Sequence, residues 1–132
     1  MVNNLKQQNF RKLLILACGL ILVSILLTGC GKPVVFDGSR VANDHGFHME
    51  YSVLNREETA EMSLKEGDRL LVSYEQERGS IDIAVSKMGG ASIYNGTEQV
   101  KGEFVLTIPE TGSYLISVTG HQAKGKILFE VQ

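Results

Sequence analysis

From Phe47 to the C-terminus the chain alternates apolar and polar residues with a period of two, in short runs broken by turn residues. Met49, Tyr51 and Val53 make one run. Ala60, Met62 and Leu64 follow, then Leu70, Val72 and Tyr74, then Ile81, Ile83 and Val85. Phe104, Leu106 and Ile108, then Tyr114, Ile116 and Val118, then Ile127, Phe129 and Val131 complete the pattern. Successive side chains of a strand point to opposite faces, so such alternation means antiparallel sheet with one face buried and one wet. The stretch from Arg56 to Met62 is the one helical candidate, and a strand suits its neighbours better.

Turn chemistry separates the runs. Glu66-Gly67-Asp68 precedes one strand, Arg78-Gly79-Ser80 joins two others tightly, and Met88-Gly89-Gly90 follows. Asn95-Gly96 carries a hairpin signal, because both residues tolerate positive φ. Pro109 to Gly112 and Gly120-His121 close later strands, and Gly102 reads as a bulge or bend. Seven strong strands and a short one at Ser92–Tyr94 predict an all-β, antiparallel, jelly-roll-like β-sandwich of about eight strands. Its inward set is Tyr51, Leu70, Val72, Tyr74, Ile81, Ile83, Val85, Phe104, Leu106, Tyr114, Ile116, Val118, Ile127 and Phe129.

The first 30 residues obey other rules. Lys6, Arg11 and Lys12 form a basic head without acids, and an apolar run from Leu13 reaches Leu27-Thr28-Gly29-Cys30 before the next charge, Lys32. Basic head, apolar run and small residues at its end make a secretory signal. Leu27-Thr28-Gly29-Cys30 resembles the lipobox of bacterial lipoproteins: an aliphatic residue, two small residues, then a thiol that accepts a diacylglyceryl group. The resemblance implies cleavage between Gly29 and Cys30 and a lipid on Cys30, which two acyl chains hold firmly in a membrane. A retained membrane helix is the competing reading of the same stretch. The expected division is thus signal peptide 1–29, lipidated Cys and tether 30–46, and sandwich 47–132. Val34-Val35-Phe36 is a possible edge strand within the tether.

From Cys30 onward ten Lys/Arg face fifteen Asp/Glu, a net charge of −5, which argues against nucleic acid as a partner. Cys18 falls in the segment to be removed and Cys30 carries lipid, so no thiol is left for a disulfide, a metal or nucleophilic attack.

Leu64-Lys65-Glu66-Gly67-Asp68 with Leu70 to Tyr74, Gly79 to Val85 with Ile93 to Gly96, and Phe104 to Tyr114 are similar to the pre-peptidase C-terminal type of bacterial sandwich and to Golgi-dynamics modules. The similarity spans residues 58–131 and rests on turn and core positions. It implies a non-catalytic module for adhesion, ligand contact or cargo contact, and transfers no binding residue. Small lipoproteins of Gram-positive anaerobes also look like this chain from end to end.

The search for chemistry yields little. His45 and His48 have an HxxH spacing, but a strand sends them to opposite faces, and His121 is distant. Asp37-Gly38-Ser39 and Asn43-Asp44 lack the alternating acids of a calcium loop. Glu57, Glu58 and Glu61, and the pair Glu75 and Glu77, are expected on wet faces. No metal or cofactor is expected beyond the lipid, and no nucleophile elbow or phosphate loop is found. Tyr94 and Asn95, read as a loop tip, are the candidate ligand contacts. The expectation is a lipid-anchored, extracytoplasmic, non-catalytic module that contacts an envelope protein through loop tips or a strand edge. The alternatives are a glycan-contact module, with Tyr94, Tyr74 and Tyr51 stacking on sugars, and a hydrolase built on Glu75 and Glu77.

Overall fold

A computed structural model describes the backbone of residues 2–26 and 31–132, with side chains over 3–18 and 31–132. The chain divides into two units, Met1–Pro33 and Val34–Gln132. The first holds one helix, α1 (Val2–Leu26). Among the described residues no helix is long and apolar enough to cross a membrane. Gly29 and Cys30 lie outside the described residues.

The second unit has seven strands: β1 (Phe36–Asn43), β2 (Gly46–Leu54), β3 (Glu57–Leu64), β4 (Arg69–Lys87), β5 (Ser92–Gln99), β6 (Lys101–Thr107) and β7 (Gly112–Val131). All pairs are antiparallel. Only Asn55 and Arg56 separate β2 from β3, and only Val100 separates β5 from β6. The core is therefore four long ribbons, each bent once. Bending gives two layers. One reads β1, β2, the second half of β7, the first half of β4, and β6; the other reads β3, the first half of β7, the second half of β4, and β5. This interleaving is a jelly-roll sandwich. All four bends fall at one end of the sandwich, the bend end; the turns at residues 65–68 and 108–111 cross between layers at the far end.

The bends follow from the side-chain pattern. Leu70, Val72, Tyr74 and Gln76 are buried before the bend of β4, and Ile81, Ile83 and Val85 after it. The inward set switches from even to odd numbers, because an extra residue enters where the register slips on either side of Arg78. Gly79 sits there at φ +68°, and a Cβ on it would meet the His121 carbonyl at 2.4 Å. β7 makes the same switch beside it, from Tyr114, Ile116 and Val118 to Ala123, Ile127 and Phe129, with Gln122 at φ +50°. Two neighbouring strands thus bend at one level and carry the core around the corner.

The expected inward residues are buried, except that Phe104 and Leu106 are half-buried against the core. Phe47, Met49, Leu54, Ala60, Met62, Leu64, Ile108 and Ala123 complete it, with Phe47 and Phe129 stacked at 6.0 Å.

Four expectations need correction. Residues 36–43 are strand β1, in register with β2, rather than tether. Arg78-Gly79-Ser80 and Gly120-His121 bend continuous strands and do not reverse them. Asn95-Gly96 is no hairpin: the residues pair with Ala84 and Ile83 inside β5, and the reversal falls at Gly89, at φ +69°. Gly102 makes no bulge. It pairs with Tyr74 in regular register, and its missing Cβ leaves room for the Tyr74 hydroxyl, which a Cβ would meet at 2.5 Å.

Candidate functional site

Outward positions on β2, β7, β4 and β6 meet in a ladder across the five-stranded layer. Glu50 opposes Lys126, Lys126 opposes Glu75, and Glu75 opposes Lys101. The next rung is His48, Leu128, Ser73 and Glu103. Opposite charges directly across strands attract, typically by about 0.2–1 kcal/mol a pair. Lys101 Nζ lies 3.0 Å from Glu75 Oε1, and Lys124 Nζ lies 2.9 Å from Glu77 Oε2.

Two grooves open on this face. One of about 500 Å³ is lined by Glu50, Ser52, Glu75, Glu77, Lys124 and Lys126, with Gly38 and Gly125 in its wall. The other, of about 520 Å³, is lined by His48, Ser73, Lys101, Glu103 and Leu128. They share Glu75 and Lys126 and so adjoin across four strands; together they make up the channel of this face. Beneath it the Tyr51 hydroxyl donates to Gln76 Oε1 at 2.8 Å, and Gln76 Nε2 donates to the Lys126 carbonyl at 3.2 Å. Burial pushes the Tyr51 phenol up to about 12, against the pull of the Gln76 hydrogen bond.

Glu75 and Glu77 do share a face, as i and i+2 residues must. Lys101 holds the Glu75 carboxyl below its ordinary range, first by its hydrogen bond and then by its charge, and Lys126 adds to this. A general acid needs the opposite shift.

The tyrosines proposed for stacking on sugars are turned into the protein. Tyr51 and Tyr74 are buried, and the Tyr74 hydroxyl donates to Gln99. Tyr94 is half-buried, its ring 4.5 Å from that of Phe104, while Asn95 is exposed on β5.

The histidines do not converge. His45 lies in the β1–β2 turn and His48 on the groove face, both exposed. His121 Nε2 is 2.8 Å from Asp82 Oδ2 at the bend end. Asp82 also accepts the Glu98 N–H at 2.9 Å, and that bond, ahead of His121, lowers its carboxyl pKa. Asn43 Oδ1 accepts the N–H groups of His45 and Gly46, so it holds a turn. Among the described residues no three His, Cys, Asp or Glu side chains are placed to hold a metal.

One carboxylate departs from its expected wet face. Glu57 and Glu61 are exposed, but the Glu58 side chain is only 11% exposed, between Arg40 at 3.3 Å and Arg56 at 2.5 Å. Arg40 also donates to the Thr59 carbonyl and lies over the Phe47 ring. The side chain therefore spans from β1 to β3 and caps an edge that would otherwise accept another strand.

Reading Glu75 and Glu77 alone missed the rest of the channel. Its signal was the same i, i+2 spacing in Lys124 and Lys126 and in Lys101 and Glu103. The clasp of Arg40 was hidden, because residue 40 lay in the expected tether.

No family model matches the sequence, and no curated protein matches it. Among solved structures, the chain is similar to a periplasmic inhibitor of g-type lysozyme from Aeromonas hydrophila, with 18% identity, 71% of this chain and 93% of that one covered, and a TM-score of 0.46. It is similar to the pre-peptidase C-terminal domain of a Bacillus anthracis collagenase, with 11% identity, 78% and 100% covered, and a TM-score of 0.46. A Streptococcus pneumoniae accessory secretory protein assembly gives 15% identity, 79% and 90% covered, and a TM-score of 0.41. None reaches a TM-score of 0.5, so the functional reading rests on this chain's own residues.

Proposed function

We propose that the protein is a lipid-anchored extracytoplasmic module that binds another envelope protein through the charged channel of its five-stranded layer, without catalysing a reaction. The observation that carries the binding half is the channel: alternating charges over four strands, with Lys101 and then Lys126 holding the Glu75 carboxyl below its ordinary range. Such a surface gives register and selectivity to a protein partner of complementary charge. It offers no aromatic platform for a sugar, since Tyr51, Tyr74 and Tyr114 are buried and Tyr94 packs on Phe104. At the β3 edge, one of the places where a strand could add, Arg40 occupies the Thr59 carbonyl. The anchoring half rests on the order of basic head, apolar run and Leu27-Thr28-Gly29-Cys30.

In-cell crosslinking of the full chain, followed by mass spectrometry, tests the binding half. One dominant envelope protein is expected, and its recovery should fall at least tenfold in Lys126→Glu. Recovery of glycan alone would replace this reading with the sugar-contact one. Metabolic labelling with a fatty-acid analogue tests the anchor: Cys30→Ala should abolish it, and undiminished labelling of that variant would sink the assignment.

A further inference from the structure

We propose that the five-stranded face also closes on a second copy of the chain, about a two-fold axis that runs along the strands between β7 and β4. The order of charges selects this pairing. Read across β2, β7, β4 and β6, one rung is Glu50, Lys126, Glu75 and Lys101. Its signs alternate, so reversing the rung inverts every sign. The axis performs that reversal, because it sets β2 over β6 of the second copy and β7 over β4. Glu50 then faces Lys101 of the second copy and Lys126 faces Glu75, and each contact occurs twice. The adjoining rung follows suit, with His48 over Glu103 and Leu128 over Ser73.

The remaining charges of the face do not oppose the pairing. Glu130 lies over Leu71, one rung from the exposed Arg69 of the second copy. At the bend Lys124 meets both Glu77 and Arg78, one of each sign. Asp37 on β1 falls outside the four overlapped strands. Facing sheets keep their strands within about 30° of one another, so the central strands β7 and β4 stay in step, and the Lys126–Glu75 contacts lie there. Apolar side chains gather at the axis. Leu128 and Leu71, both half-buried, meet their counterparts, and Val105, 38% exposed, lies beside Leu71. Four strands about 4.8 Å apart and about eight residues long let the pair bury on the order of 1,000–1,300 Å², near the low end for specific complexes. Complementary charge gives such a contact register and selectivity more than strength. The axis also keeps the bend ends of both copies together. Val35, whose carbonyl accepts the Asn55 N–H at 2.8 Å, therefore sits at the same end of each sandwich, as two chains anchored in one membrane require. On the partner reading, the envelope protein displaces the copy, and the dimer is the protein without its partner.

Carbodiimide, which joins lysine to a nearby carboxylate without a spacer, reads the contact. The full chain is purified in detergent as an equal mixture of unlabelled and nitrogen-15-labelled copies and then treated. Peptides that join Lys126 of one isotope to Glu75 of the other are expected. Sedimentation in density-matched detergent reads the mass. The wild type should contain dimer, Lys126→Glu and Glu75→Lys should each weaken it about fivefold or more, and an equal mixture of the two variants should restore it, since opposite signs then face each other again. A monomeric wild type, absence of the mixed-isotope link, a variant that keeps the wild-type dimer, or a mixture that stays monomeric overturns the proposal. The isotope map uses the wild type alone, so a variant that misfolds leaves it decisive. Only this protein is present, so the outcome is independent of whether crosslinking in cells recovers an envelope partner.

Discussion

Tyr51 shows how one residue ties core to channel. Its hydroxyl is buried and feeds Gln76, whose amide then fixes the Lys126 carbonyl in the channel floor. Tyr51→Phe leaves Gln76 Oε1 buried without that donor, and urea unfolding should show a loss of about 1–3 kcal/mol. The pH dependence has a definite sign. The folded phenol titrates near 12, above its ordinary 10, so the folded state keeps a proton that the unfolded chain releases between those values. This contribution is complete below pH 10 and is lost as pH rises toward 12. Alkaline unfolding of the wild type should therefore steepen over that window, and Tyr51→Phe should lose that part of the slope. Alternation alone placed Tyr51 inward correctly. It could not show that a hydrogen-bonded glutamine, Gln76, would continue the same buried row, because the pattern gives a face and no partner.

At the scale of elements, the two central strands are each a long ribbon with one bend, and sequence resolved their halves better than their joins. The halves were legible because burial imposes the period. The joins were not, because glycine between two runs suits a bend as well as a reversal. Gly79→Ala discriminates. Its φ of +68° and the 2.4 Å approach to the His121 carbonyl leave no room for a methyl, so thermal unfolding should show a loss of about 2 kcal/mol or more. A simple exposed turn would absorb much of that change. β1 was hidden for another reason: seven of its eight residues are exposed, so no alternation marks it. It is held by its ladder with β2 and by Arg40. Arg40→Ala should cost about 1 kcal/mol and speed hydrogen exchange in residues 36–43 more than elsewhere.

For the whole molecule, the fold class followed from the sequence while the binding face did not. A channel across β2, β7, β4 and β6 joins residues as distant as Glu50, Glu75, Lys101 and Lys126, and register between remote strands cannot be read from any one of them. What the sequence did supply was parity, which puts Glu75 with Glu77 and Lys124 with Lys126. On the binding proposal, this face meets a protein. A photo-crosslinking residue placed at Ser73 within the channel, and in a second strain at Ser117 on the opposite face, tests it directly in cells. One dominant protein adduct is expected from position 73 and none from position 117. Adducts from 117 with none from 73 would contradict it.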